Sequence, residues 1–115
     1  MSDILAQSLR LPCGVVLENR LVKAAMTEGL ANPAGVPTAA LERLYGLWSD
    51  GGAGLLLSGN ILVDGDHLER PGNVIIDQQP DAIMHQALSS WAKTATRNGN
   101  HFWAQISHAG RQTQK

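Results

Sequence analysis

The strongest constraint in this sequence is a change of hydrophobic period that is made twice. Three short apolar runs, residues 21–25, "GLLLSG" at 54–59 and "HFWAQIS" at 101–107, alternate with two stretches whose apolar residues recur at helical spacing. In the first stretch Leu41, Leu44, Tyr45 and Trp48 fall at i, i+3, i+4 and i+7, one face of a helix. Thr38 is placed to cap it, Glu42 suits its first turn, and Gly51-Gly52 can end it. In the second, Met84, Ala87, Leu88, Trp91 and Ala95 share a face, and Gly99 suits the C′ position. The order strand, helix, strand, helix, strand predicts right-handed βαβ units on a parallel sheet, an α/β fold. The apolar runs on either side of Glu18-Asn19 predict a hairpin whose second arm, residues 21–25, is the first buried strand. "NPAGVP" at 32–37 and "DGDHLERPGNVIIDQQP" at 64–80 read as loops. Three parallel strands leave both lateral edges of the sheet unpaired, the pattern of a piece of something larger.

Composition narrows the class. At 115 residues, with 43% hydrophobic and 17% charged content, the chain is an ordinary globular sequence of one domain at most. A net charge of −1 gives no electrostatic reason to expect nucleic acid or an anionic membrane as partner. No apolar run approaches the roughly 20 residues needed to span a bilayer. The first residues lack a basic leader followed by an apolar stretch, so no secretory signal is evident. Cys13 is the single cysteine, which excludes an internal disulfide and makes a reducing, cytoplasmic setting the expectation.

Several motif-like stretches have plainer readings. "GGAG" at 51–54 follows a helix and precedes a strand, the reverse of a dinucleotide fingerprint, and Leu57 stands where the third glycine should be. A calcium loop starting at Asp64 needs a glutamate at its twelfth position, where Ile75 sits. The histidines at 67, 85, 101 and 108 show no metal-ligand spacing, which argues against zinc. Asp64, Asp66 and Glu69 lie in a loop rich in Gly and Pro and read as solvated surface rather than as acid/base groups. Cys13 has no histidine near it in sequence and reads as a structural or incidental thiol.

The carboxyl ends of the three strands are more informative, because in parallel α/β folds ligands bind just outside them. Those ends carry Met26-Thr27, Ser58-Gly59-Asn60, and Gln105 through His108 to Arg111. A hydroxyl and two amides at such positions need hydrogen-bonding partners when buried. One planar heterocycle with alternating donors and acceptors would serve all three, and so would water or backbone.

Taken together, "GVVLENRLVKAAMTEG", "GVPTAALERLYGLWSDGGAGLLLSGNILV" and "WAQISHAGRQ" resemble the N-terminal portion of the Old Yellow Enzyme family of NADH:flavin oxidoreductases. The resemblance runs from Leu11 nearly to the last residue, with the pieces in the family's order and spacing. It implies a partial (β/α)8 TIM barrel, residues 1–115 being the N-terminal fragment of one FMN-binding barrel domain. It also implies FMN as cofactor, with NAD(P)H as electron donor and hydride passing through the flavin to an activated alkene or similar acceptor.

By the same resemblance, Ala25, Met26 and Thr27 lie beside the isoalloxazine, with the Thr27 side chain near N5 and O4. Asn60 occupies the position near the pyrimidine edge where the family commonly has a small residue. Gln105 matches the glutamine whose amide bonds the pyrimidine, while His108 and Arg111 match an H-x-G-R signature, Arg111 shaping the loop. Gly29 stands where some relatives carry an additional tyrosine. The family's substrate-orienting pair, proton-donating tyrosine and phosphate clamp come later in the barrel, so no catalytic residue is assigned here. A whole barrel takes about 250 residues. The chain is therefore expected to be incomplete as a catalyst, or to need a complementary barrel fragment or a homo-oligomeric partner. A small-molecule substrate, and neither nucleic acid nor membrane, is the expected partner of the complete enzyme.

Overall fold

The fold is that of a computed structural model, which describes residues 3–113. A hairpin of β1 (Leu9–Arg10) and β2 (Val16–Leu17) precedes β3 (Val22–Lys23), α1 (Ala39–Asp50), β4 (Leu55–Leu62), β5 (Val74–Ile75), α2 (Ala82–Ala95) and β6 (His101–Ser107). β3, β4 and β6 lie side by side and parallel, as the alternating periods predict, with β4 in the centre. Among the described residues no helix is long and apolar enough to cross a membrane.

Both helices form where their sequence signals place them. The Thr38 hydroxyl accepts from Leu41 N–H, and the Asp81 carboxylate does the same for Met84 N–H, each satisfying a backbone donor that the first turn leaves orphaned. Their apolar faces meet the sheet. Leu41, Tyr45, Leu56, Ile61, Val74, Met84, Trp91 and Ala95 make one buried cluster, and Tyr45 stands edge-on to Trp48 and Trp91 at ring separations of 5.0 and 5.3 Å. Polar ties fix the two helices to each other. Glu42 accepts from Ser90 and Thr94 at 2.9 and 2.7 Å, and Asp50 pairs with Arg97 through two hydrogen bonds.

Four expectations are corrected. The hairpin does not turn at Glu18-Asn19. It turns at residues 11–15, where Gly14 takes a φ of 93° and its N–H donates to Leu11 O, because Pro-Cys-Gly supplies better turn chemistry. The Asn19 side chain instead bonds the end of α1, donating to Gly52 O at 2.6 Å and accepting from Gly54 N–H at 2.8 Å. Second, residues 21–25 are not a buried strand. Only Val22–Lys23 pairs, on an edge with β4 as its neighbour, and Leu21 and Val22 are about half exposed. Third, the segment read as loop over 64–80 contains β5, which pairs with Ile61 and Leu62 beyond the point where β3 has left β4. Fourth, α2 ends at Ala95 with Thr96 as its C-cap, and Gly99 serves a following turn in which its N–H donates to Thr96 O.

The sheet has two unlike faces. Leu56 and its partner Phe102 face the helices. Trp103 and Gln105, one and three residues on, belong to the opposite face, which is open: Trp103 is 44% exposed. The hairpin closes the amino-terminal end of this face, with Val16 O 3.3 Å from the His101 ring.

Candidate functional site

The carboxyl ends of β3, β4 and β6 carry a continuous chain of side-chain hydrogen bonds. The Thr27 hydroxyl donates to Glu69 Oε2 at 2.8 Å, the Asn60 amide donates to the same oxygen at 2.9 Å, and the Gln105 amide donates to Asn60 Oδ1 at 2.5 Å. The three polar residues singled out from sequence are thus brought together, with Glu69 between two of them. Ala25 is half-buried and Met26 about half exposed on the strand leading to Thr27.

A bulge in β4 creates this alignment. Leu57 pairs with Trp103, yet the next pair is Asn60 with Gln105, so three steps on β4 match two on β6. The extra residue is absorbed at Ser58-Gly59. Ser58 is fully buried, and its hydroxyl oxygen accepts from Gln105 N–H at 2.9 Å, replacing the ladder bond that the bulge removes. Gly59 is required by crowding: a Cβ there would stand 2.5 Å from Met26 O and closer still to Glu28 Oε1. Without the extra residue Gly59, not Asn60, would lie beside Gln105.

Beneath the strand ends sits a polar knot that sequence reading missed. The Tyr45 hydroxyl donates to the Glu28 carboxylate and accepts from Gly59 N–H at 3.1 Å and Lys23 Nζ at 3.3 Å. Lys23 also donates to Leu57 O at 2.6 Å and lies 4.5 Å over the Trp48 ring. Burial, reinforced by the Glu28 carboxylate, pushes the Tyr45 phenol above its usual range, while burial pulls the Lys23 ammonium down. The knot ties the β4 backbone just before Asn60, at Leu57 and Gly59, to the side chains of Lys23 and Glu28, which flank Thr27 in sequence. Tyr45 was legible only as part of an apolar helix face, since nothing in spacing announces its partners.

Glu69 is the other residue that sequence missed, having been assigned to a solvated surface. The Asn60 amide, then the Thr27 hydroxyl, hold its carboxyl below the ordinary range, so it is an acceptor-only carboxylate among donors. Asn60, Glu69, Ser107, His108 and Gln112 line a crevice of about 280 Å³ at this end of the sheet. His108 Nε2 is 3.2 Å from Asp64 Oδ2 and its Nδ1 accepts from Gly110 N–H at 2.9 Å, while Arg111 is exposed in the 3-10 turn Gly110–Gln112. A roomier hollow of about 490 Å³, lined by residues of 32–36 and 75–84, lies apart from these side chains. The described residues thus present a row of hydroxyl, carboxylate and amide groups beside an open apolar sheet face, an arrangement suited to one edge of a flat, polar-rimmed ligand.

Comparisons with known proteins bear on what such a ligand is. No family model matches the chain. The chain is 34% identical over 105 residues to an NADH-dependent flavin oxidoreductase of Hypocrea jecorina (strain QM6a), covering 90% of this chain and 26% of that protein. It is 35% identical over 115 residues to an NADH-dependent flavin oxidoreductase of Talaromyces variabilis, covering 97% of this chain and 28% of the relative. The chain therefore spans about a quarter of the length of these relatives. In fold it matches the Old Yellow Enzyme from Pichia sp. AKU4542 with a TM-score of 0.82 at 18% identity, over 96% of this chain and 28% of that one. The parallel strands and their two helices are those of a partial (β/α)8 barrel, and in sequence the chain is a part-length relative of NADH-dependent flavin oxidoreductases.

Proposed function

We propose that this chain supplies the first strands of an FMN-dependent NAD(P)H oxidoreductase barrel, residues 1–115 forming the N-terminal part of one FMN-binding domain. The supporting observation is the hydrogen-bonded row Thr27, Glu69, Asn60, Gln105 at the ends of three adjacent parallel strands. The row fits a flavin edge by the chemistry of its donors. A hydroxyl and two carboxamides can each donate or accept, and the pyrimidine side of an isoalloxazine alternates the two kinds of group. Ala25, Met26 and Thr27 would lie along the ring, with Asn60 and Gln105 at the pyrimidine rim.

Bound FMN would supply the redox chemistry, accepting hydride from NAD(P)H and returning it to an activated alkene or similar small-molecule acceptor. The protein's part is to bind, orient and tune. Thr27 presents a hydroxyl whose direction is fixed by its neighbours. Gln105 presents an amide held by the Ser58 contact to its own backbone. The lone cysteine agrees with a reducing cytoplasmic setting.

A second reading concerns the isolated polypeptide. Trp103 is 44% and Ile106 61% exposed on the two faces of β6, whose only described partner is β4. Those surfaces fit a part that is completed by further barrel strands, in a longer chain, a complementary fragment or a second copy. The test for the flavin reading is quenching of FMN fluorescence on titration with the protein. Gln105→Ala should weaken FMN binding by about tenfold, the loss of one hydrogen bond of roughly 1.4 kcal/mol. Equal affinity in the two proteins would remove Gln105 from the site.

A further inference from the structure

Asp64 and His67 follow β4, and His108 follows β6. Sequence spacing gave no reason to group them, since 44 residues separate Asp64 from His108. Strand pairing does the grouping: Leu62 and Ser107 are partners at the ends of their strands, so the loops that follow begin side by side.

His67 Nδ1 is 2.8 Å and His108 Nε2 3.2 Å from the same oxygen, Asp64 Oδ2, and the three side chains can each offer a ligand atom within 4.8 Å of the other two. The two imidazoles stack at 5.6 Å with 29° between their planes. Zinc takes nitrogen and oxygen ligands at about 2.0–2.2 Å in a tetrahedron, which places neighbouring ligand atoms roughly 3.3 Å apart. The two nitrogen–oxygen separations, 2.8 and 3.2 Å, lie near that spacing.

We propose that Asp64, His67 and His108 form a binding site for a borderline divalent transition-metal ion of the zinc class, fastening the loop after β4 to the turn after β6. Two imidazoles and one carboxylate suit zinc, nickel or copper, whereas calcium and magnesium require more oxygen ligands than a single aspartate offers. Three protein ligands leave a fourth position for water. The three side chains are a third to a half exposed, so an ion reaches them from solvent without opening the fold.

The metal-free arrangement also fixes what binding must change. Gly110 N–H donates to His108 Nδ1, so the neutral ring carries its proton on Nε2 and points it at Asp64. An ion bound at Nε2 moves that ring proton to Nδ1 and opens the contact with Gly110. The cost is one exposed backbone hydrogen bond, set against three metal–ligand bonds. His67 gives up its Nδ1 proton to Nε2 in the same way. The protons stay on the rings, and the Asp64 carboxylate enters already ionised.

Competition between the untagged 115-residue chain and a chromophoric chelator for zinc tests the site, with circular dichroism to check each variant's fold. One equivalent of zinc should bind with micromolar affinity. His67→Ala, His108→Ala and Asp64→Asn should each weaken it by about tenfold or more, while His85→Ala and Cys13→Ser should not. In the wild type, zinc should also switch the His108 ring nitrogens, seen by 15N NMR, from the Nε2–H to the Nδ1–H form. Failure of the wild type to hold one equivalent, zinc binding indifferent to His67 and His108, or loss of the ion in His85→Ala or Cys13→Ser would each overturn the proposal. None of these readouts involves flavin, so the site stands or falls independently of the function proposed above.

Discussion

Replacing Ser58 by alanine is the sharpest probe of how the strand ends are aligned. The side chain is fully buried, and its oxygen is the hydrogen-bond partner of Gln105 N–H at 2.9 Å, while the hydroxyl donates to Gly59 O at 2.7 Å. Alanine removes the acceptor and leaves a backbone donor at the bulge without a replacement from the ladder. Leaving a fully buried donor unpaired costs about 1–3 kcal/mol, this one is part-buried and sits toward the lower end, and little cavity forms because a single oxygen is lost. With a urea m-value of about 1–3 kcal/mol/M for a small domain, the midpoint should fall by roughly 1 M. Urea unfolding followed by tryptophan fluorescence measures this, and hydrogen exchange locates it, since the Gln105 amide should lose protection ahead of the amides of α2. A midpoint unchanged within error, with Gln105 still protected, would show that the bulge does not depend on the Ser58 hydroxyl.

Two further predictions concern titration. Tyr45 is the only tyrosine, so phenolate absorbance reports on it alone. Its folded pKa is raised by burial and by Glu28, so the stability this group contributes is complete below its ordinary value and is lost as pH rises above about 10. Phenolate should therefore appear only together with loss of far-UV circular dichroism, and its appearance at ordinary pH in a folded chain would refute the buried knot. Glu69 is depressed by Asn60 and Thr27, so its contribution is present above its ordinary value of 4.5 and disappears as pH falls through the folded value. Glu69→Gln should flatten the decline of the melting temperature below that point, and an unchanged acid profile would place Glu69 outside the network.

The helices were legible because their signals are local: each has a periodic apolar face, and α1 adds Thr38 as its cap and Gly51-Gly52 at its end. The hairpin was misplaced because Glu18-Asn19 and Pro12-Cys13-Gly14 both look like turns, and which one reverses the chain is decided by what Asn19 bonds at the far end of α1. β5 was invisible for a related reason. Two residues, Val74 and Ile75, become a strand only because β3 leaves the upper half of β4 without a neighbour on that side.

The same division runs through the site. Thr27, Asn60 and Gln105 could be named from sequence because strand ends in a parallel sheet are where polar side chains converge. Glu69, the oxygen that Thr27 and Asn60 share, could not, because it arrives on a loop whose path no local pattern fixes. Asp64, His67 and His108 share no ligand spacing within one segment, and only β4–β6 pairing joins them. Ser58-Gly59 shows where a local signal was present and passed over. A serine and a glycine inside an otherwise apolar strand mark a bulge, and the bulge moves Asn60 rather than Gly59 next to Gln105. The polar row at the strand ends is thus set by one inserted residue and the hydroxyl that repairs the ladder around it, which is why the alignment should fail first when that hydroxyl is removed.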